Sequence, residues 1–198
     1  MNHEWRTLTR ITAPVLDPVT QSEVYRHLRL VEDATEKAYA DAVAEVAREY
    51  VEQHTGTALL TQTWEITFDE WWQGVLELPY PPLQSVTSIK YLDADGVEQT
   101  LSASSYTVTT GDPVGFVQLK SDITVPVIKS EAGAVRIRFV SGYTAAANVP
   151  ASLKQAVLLL ASQWFENREP TANPFNAFPS EIPYTVNALL NQYRSRWL

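Results

Sequence analysis

Residues 59–72 read LLTQTWEITFDEWW, and within them the periodicity of the chain changes. From Leu60 onward Gln62, Trp64, Ile66 and Phe68 fall on one side of an extended backbone, and Thr61, Thr63, Glu65 and Thr67 on the other. Successive side chains of a strand point to opposite faces, so this alternation predicts a strand with one buried face. Immediately upstream the spacing is helical. Between about Asp33 and His54, Ala38, Ala42, Val46 and Tyr50 recur on one stripe, widened by Ala34, Val43, Ala47 and Val51. Thr55-Gly56 supplies the stop, because Gly56 can take the positive φ of a helix C-terminus.

Downstream the strand pattern continues. GVLEL, VTSIKYL, VEQTL, YTVTT, GFVQL and AVRIRFV are further strand candidates. They are separated by turn residues at Pro79–Pro82, Asp95-Gly96, Gly111-Asp112-Pro113 and Gly133. Helix returns after SGYTAAANVP, where Pro150 suits a first turn and SLKQAVLLLASQWFENRE carries Leu153, Val157, Leu160, Ala161 and Trp164 on one face. PTANPFNAFPSEIP, with Phe175 and Phe178, reads as a proline-rich connector. The last helix is YTVNALLNQYRSRWL, with Val186, Leu189, Leu190, Tyr193 and Trp197 on a broad face. At the other end, Thr20-Gln21-Ser22-Glu23 has capping-box form before a short helix facing inward through Val24, Leu28 and Val31.

The predicted class is α+β: a small helical bundle with an inserted antiparallel β domain and a C-terminal helical arm. Residues 1–19 are assigned to an N-terminal tail, 20–58 and 148–170 to the helical core, 59–147 to the β insertion, and 171–198 to the linker and terminal helix.

The composition bounds the function. Hydrophobic residues make up 45% and aromatics 11%, enough for a core. Without cysteine there is no disulfide framework and no thiolate metal site. Fifteen basic against 23 acidic residues give a net charge of −8, which opposes binding to a phosphate backbone. MNHEWRTLTR lacks the apolar run of a signal peptide. No segment reaches the roughly 18–20 apolar residues of a membrane span, so a soluble, cytoplasmically made protein without membrane association is expected.

Candidate chemistry is sparse. His3, His27 and His54 share no helical ligand spacing. The DADG of residues 93–96 resembles the start of a calcium loop, but Gly96 comes too early and the twelfth position is Ser104. A tight hairpin turn explains it better. Glu65, Asp69, Glu70 and Glu77 supply carboxylates without the neighbouring motif of a glycoside hydrolase. No G-x-S-x-G, P-loop or G-x-G-x-x-G occurs, so neither an enzyme nor a cofactor is expected. The aromatics are more informative. Trp64, Trp71, Trp72 and Tyr80 lie close in sequence, which admits a carbohydrate- or cell-surface-binding β module. A terminal amphipathic helix behind a proline-rich connector suits docking to a partner groove.

The order of segments resembles the head–tail connector (adaptor) proteins of tailed bacteriophages, the gp6-like group, in its longer branch with a β insertion. The resemblance is carried by EVYRHLRLVEDATEKAYADAVAEVAREYVEQHTGTALLTQTWEITFDEW, LPYPPLQSVTSIKYLDADGVEQTL, FVSGYT, VPASLKQAVLLLASQWFENRE and IPYTVNALLNQYR. Similar proteins occur in gene transfer agents. The resemblance implies a structural protein at the head–tail junction of a virion or phage-like particle made in a bacterial cytoplasm. It implies a dodecameric ring beneath the portal protein that extends the DNA channel and carries stopper or tail proteins, with DNA passing without specific binding. Segment 171–198 is then the portal-binding arm, through Tyr184, Leu189, Leu190, Tyr193 and Trp197. Trp71 and Trp72 are candidates for the tail or stopper contact. A tail-completion protein is the neighbouring alternative.

Overall fold

In the computed structural model, residues 6–30, 33–168 and 184–194 are described. The chain divides into two compact units, one built from residues up to Val15 together with Leu60–Thr144, the other from Leu16–Leu59 and the residues from Ala145 onward. The class is α+β.

The β unit contains β1 (Thr7–Thr12), β2 (Gln62–Phe68), β3 (Val75–Leu78), β4 (Leu83–Leu92), β5 (Glu98–Thr100), β6 (Tyr106–Thr109), β7 (Gly115–Leu119) and β8 (Val135–Ser141). They form an antiparallel five-stranded sheet in the order β1-β2-β8-β4-β5 and a three-stranded sheet in the order β3-β7-β6. β2 alternates as its sequence predicts, with Gln62, Trp64, Ile66 and Phe68 buried. Its register aligns Leu8, Ile66, Ile137 and Ile89 in one row across β1, β2, β8 and β4. That row anchors a core completed by Phe68, Trp72, Leu76, Leu78, Val117 and Phe139. Burying such side chains stabilises the unit by about 1.5–3 kcal/mol each.

The opposite face of this sheet is charged and self-paired. Arg138 donates to Glu65 at 2.7 Å from the facing position of β2, and Glu98 accepts from Lys90 at 2.6 Å and also from Arg136. The N-terminal segment, expected to be a tail, is instead an edge strand over Thr7–Thr12. TLTRIT is rich in β-branched residues, and the Thr7 and Thr67 hydroxyls meet at 2.8 Å across the pair.

β3 ends in the proline run. Tyr80 is held at φ 58, sparsely populated backbone for a side-chain-bearing residue, while its ring stacks on Trp64 at 4.2 Å. β4 then leads into the Asp93–Gly96 turn. Asp93 Oδ1 accepts the Asp95 and Val97 N–H groups and Oδ2 accepts the Gln99 amide, so the carboxylate organises a hairpin turn. Gly142, directly after β8, sits at φ 102, and a Cβ there would lie 2.0 Å from the Leu60 carbonyl oxygen. Only glycine fits this approach.

The helical unit contains α1 (Gln21–Leu28), α2 (Ala34–Thr55), α3 (Ala151–Glu166) and α4 (Tyr184–Leu190). The capping box forms as the sequence indicates. Thr20 Oγ accepts the Glu23 N–H at 3.2 Å, and the Glu23 carboxylate accepts the Thr20 N–H at 2.7 Å. Asp33 caps α2 by accepting from the Thr35 and Glu36 N–H groups, and Gly56 closes that helix at φ 64. Pro150 is the N-cap of α3, one position before its first turn.

The apolar stripe of α2 differs from the sequence reading. The buried face runs through Ala40, Val43, Ala47 and Val51, whereas Ala38, Ala42 and Val46 are exposed. Alanine occurs nearly all round this helix, so periodicity did not select a face. The true inner face also carries Arg48 and Glu52, which made it read as polar. Leu153, Ala156, Val157, Leu160 and Ala161 of α3 complete the interior, with Val24 of α1 and Val186 and Leu190 of α4. Val31, Phe175, Phe178 and Trp197 lie outside the described residues.

Candidate functional site

Several of the groups with catalytic potential are committed to structure. Asp69 accepts from the Gly133 N–H at 2.8 Å and from Arg6 at 2.6 Å, and these bonds hold its carboxyl below the usual range. Glu65 is taken up by Arg138. Asp93 is likewise held low, chiefly by the Gln99 amide and then by the Val97 N–H. His54 stacks on Tyr50 and meets its hydroxyl at 3.4 Å, while burial raises the Tyr50 pKa. His3 lies outside the described residues. Among the described residues no group of three or more His, Cys, Asp or Glu side chains is placed to hold a metal ion. None of these helices is long and apolar enough to cross a membrane.

The cavities match this picture. In the β unit an opening of about 440 Å³ is bordered by Arg6, Asp69, Glu70, Lys129 and Glu131. Arg6–Asp69 and Lys129–Glu131 pair within that border at 2.6 Å each, so four of its five charges are mutually paired and Glu70 is left over. In the helical unit a pocket of about 40 Å³ beside Asp17, Val24 and Asp41 is of water size.

The aromatic candidates are mostly internal. Trp72 is buried in the β core, where Phe68 and Trp71 tilt against it, so its indole offers no surface to a partner. Trp71 is half-buried, packs on Tyr91 and donates its Nε1–H to the Pro126 carbonyl at 2.9 Å. Trp64 is also buried. The indoles therefore do not form the open aromatic platform that a glycan-binding surface requires.

The arm candidates separate. Tyr184 is 88% exposed, Leu189 and Tyr193 are half-buried, and Leu190 is fully buried. α4 packs on α3 and also touches α2, while the Thr57 hydroxyl donates to the Tyr193 carbonyl at 3.5 Å. Val186 and Leu190 thus complete the interior of their own unit, and the side of α4 open to a partner is the one bearing Tyr184. Trp197 lies outside the described residues.

Sequence reasoning missed the group at Arg48. This guanidinium is buried, 3.4 Å from Asp17, 3.7 Å from Glu45, 4.0 Å from Glu49 and 3.4 Å from Glu52. Glu52 is itself buried and its other oxygen accepts the Leu59 N–H at 2.9 Å, fixing the segment after α2. The i, i+4 spacing of Arg48 and Glu52 was the available signal, but exposed pairs share it. The exposed large apolar side chains among the described residues of the helical unit are Leu16, Val46 and Tyr184.

Known proteins agree with a role in assembly. Residues 119–194 match the family described as phage gp6-like head-tail connector protein. The chain is similar to one in the neck of an empty gene transfer agent (GTA) particle computed with C6 symmetry, at 26% identity and TM-score 0.78. It is also similar to a chain in the virion of a native GTA particle, at 27% identity and TM-score 0.75. A third likeness, at 26% identity and TM-score 0.69, is to the neck of a native GTA particle computed with C12 symmetry. Each alignment covers 96% of this chain and 96% of the other. No curated protein sequence matches the chain. These likenesses support a structural connector at the head–tail junction of a phage-like particle.

Proposed function

We propose that the chain is the head–tail adaptor of a phage or gene-transfer-agent particle. In this reading twelve copies close a ring that joins the portal protein to stopper or tail proteins and extends the DNA channel. The observation that carries it is the likeness to a GTA neck chain along 96% of both chains, with TM-score 0.78. The net charge of −8 suits a channel wall past which DNA slides without adhering.

Portal attachment is assigned to segment 171–198, through Tyr184, Leu189, Tyr193 and Trp197. Leu190 and Val186 serve instead to seat α4 on its own unit. A modest contact of this kind, repeated around a ring, gains its hold from avidity. Trp71, whose indole is only half-covered, marks the side of the β unit assigned to stopper or tail proteins.

Deleting the gene tests the reading. The expected result is DNA-filled heads without tails, restored by the wild-type chain supplied in trans. Normal numbers of tailed particles from the deletion strain would refute it. For the arm, Tyr184→Ala with Trp197→Ala should abolish co-purification with the portal protein while the subunit stays folded. Undiminished portal capture would remove the assignment.

A further inference from the structure

We propose that the outward face of α2, with Leu16 and Asp17, receives the C-terminal end of α1 from a neighbouring copy of this chain. The proposal rests on the adaptor reading and names the surfaces through which copies meet. α2 has three sides. One packs on α3 through Ala40, Val43, Ala47 and Val51. A second meets α1, where Gln21 and the Tyr25 hydroxyl both donate to Asp41 at 2.8 Å. The third carries Ala38, Ala42, Glu45, Val46 and Glu49, and Val46 is 55% exposed.

This third side is continuous with the start of the unit. Arg48 draws Asp17 towards Glu45 and Glu49, so Leu16, adjoining Asp17 and 61% exposed, borders the same patch. Four carboxylates share one guanidinium there, which leaves net negative charge at the edge. Asp17 and Glu45 are each about two-thirds exposed. The patch is therefore apolar at Leu16 and Val46, low at the two alanines, and acidic at its rim. A basic helix end is the complementary shape and charge.

Such an end exists in this chain. Arg26 and Arg29 are exposed at the close of α1; Glu23, one turn back, feels the charge of Arg26, but neither arginine forms a contact ion pair among the described residues. Arg26 lies two residues, about 200° of helical turn, from Val24, the residue α1 buries, and so points away from the unit's interior. In its own subunit this end of α1 lies beside the start of α2, where Lys37 covers the Tyr25 ring, about two turns before Glu45. Donor and acceptor surfaces are thus different patches, which makes the contact head-to-tail between copies. A contact of that type closes into a ring when its rotation divides the circle.

The absence of cysteine makes the test clean. Particles are assembled with Val46→Cys/Arg29→Cys in place of the wild-type chain and treated with a short bismaleimide. The expected result is a ladder of multimers of this chain, lost in either single variant. Dimers from Val46→Cys alone would overturn the proposal, because α2 would then meet α2. So would monomer only, or a conjugate with another particle protein, from particles that contain the chain. Particles lacking the chain altogether would instead remove the adaptor reading itself. As a second arm, Glu45→Arg and Arg26→Glu should each lower the yield of tailed particles several-fold and together regain it. Glu45→Arg also removes a carboxylate 3.7 Å from the buried Arg48, so urea unfolding of each variant is measured alongside, and failure of the folded pair to regain yield counts against the contact.

Discussion

Leu190→Ala separates a helix that belongs to the subunit interior from one that hangs free as an arm. Leu190 is fully buried, so truncation removes its apolar contacts and leaves a void, at a cost of about 3 kcal/mol. α4 has only seven residues, far below the roughly 12–15 at which an isolated helix becomes even marginally stable. It is helical because Val186 and Leu190 are packed on α3 and α2. Removing one of the two anchors should release it before the rest of the unit unfolds. At about 1.4 kcal/mol per decade, hydrogen exchange of the amides in 186–194 should accelerate about a hundredfold. Amides in the middle of α2 and α3 should change far less. Tyr184→Ala is the control: its ring is 88% exposed, and the variant should stay within about 0.5 kcal/mol of wild type. Exchange in 186–194 that moves by less than about twofold in Leu190→Ala would refute the docked helix.

Glu52→Ala strands the buried Arg48 beside fewer carboxylates and leaves the Leu59 N–H without its acceptor. A loss of about 3–5 kcal/mol is expected in urea unfolding, and a smaller one for Glu52→Gln, which keeps an oxygen for that N–H. Gly142→Ala should destabilise the β unit by about 2 kcal/mol or more, read as a lower midpoint of tryptophan fluorescence, because its Cβ would meet the Leu60 carbonyl at 2.0 Å. Glu23 is held below the ordinary carboxyl range by the Thr20 N–H and hydroxyl, and Asp93 by Gln99 and the turn N–H groups. A carboxyl depressed in the folded state contributes stability that is complete above its unfolded pKa and lost as pH falls through its folded one. NMR titration should therefore find Glu23, Asp93 and Asp69 each protonating below the ordinary carboxyl range, with Thr20→Ala returning Glu23 towards it. The isolated chain should leave duplex DNA unshifted in a gel at physiological salt, and tight, salt-sensitive binding would contradict a repelling channel wall.

Local patterns carried much of the fold. The alternation through Gln62, Trp64, Ile66 and Phe68, the Thr20–Glu23 capping box, the Gly56 stop and the Asp95-Gly96 turn depend on neighbours within a few residues. Those residues alone were enough to place them. The succession of segments also resembles that of the connector family, because the order of elements is itself written in the sequence. The Arg48–Glu52 group stayed hidden, since an i, i+4 pair looks the same whether it is buried or solvated.

What only the tertiary structure decided is which surfaces are spent. Three-dimensional packing turned the supposed N-terminal tail into an edge strand, because β2 had an unpaired side to offer Thr7–Thr12. It put Trp72 in the core and half-covered Trp71 through the Pro126 carbonyl. It consumed Leu190 inside the helical unit and turned Ala38, Ala42 and Val46 outward. A sequence fixes how apolar each position is and how often such positions recur. Burial depends on what lies opposite, and for a helix lined with alanine on every side that is settled only when its neighbours pack.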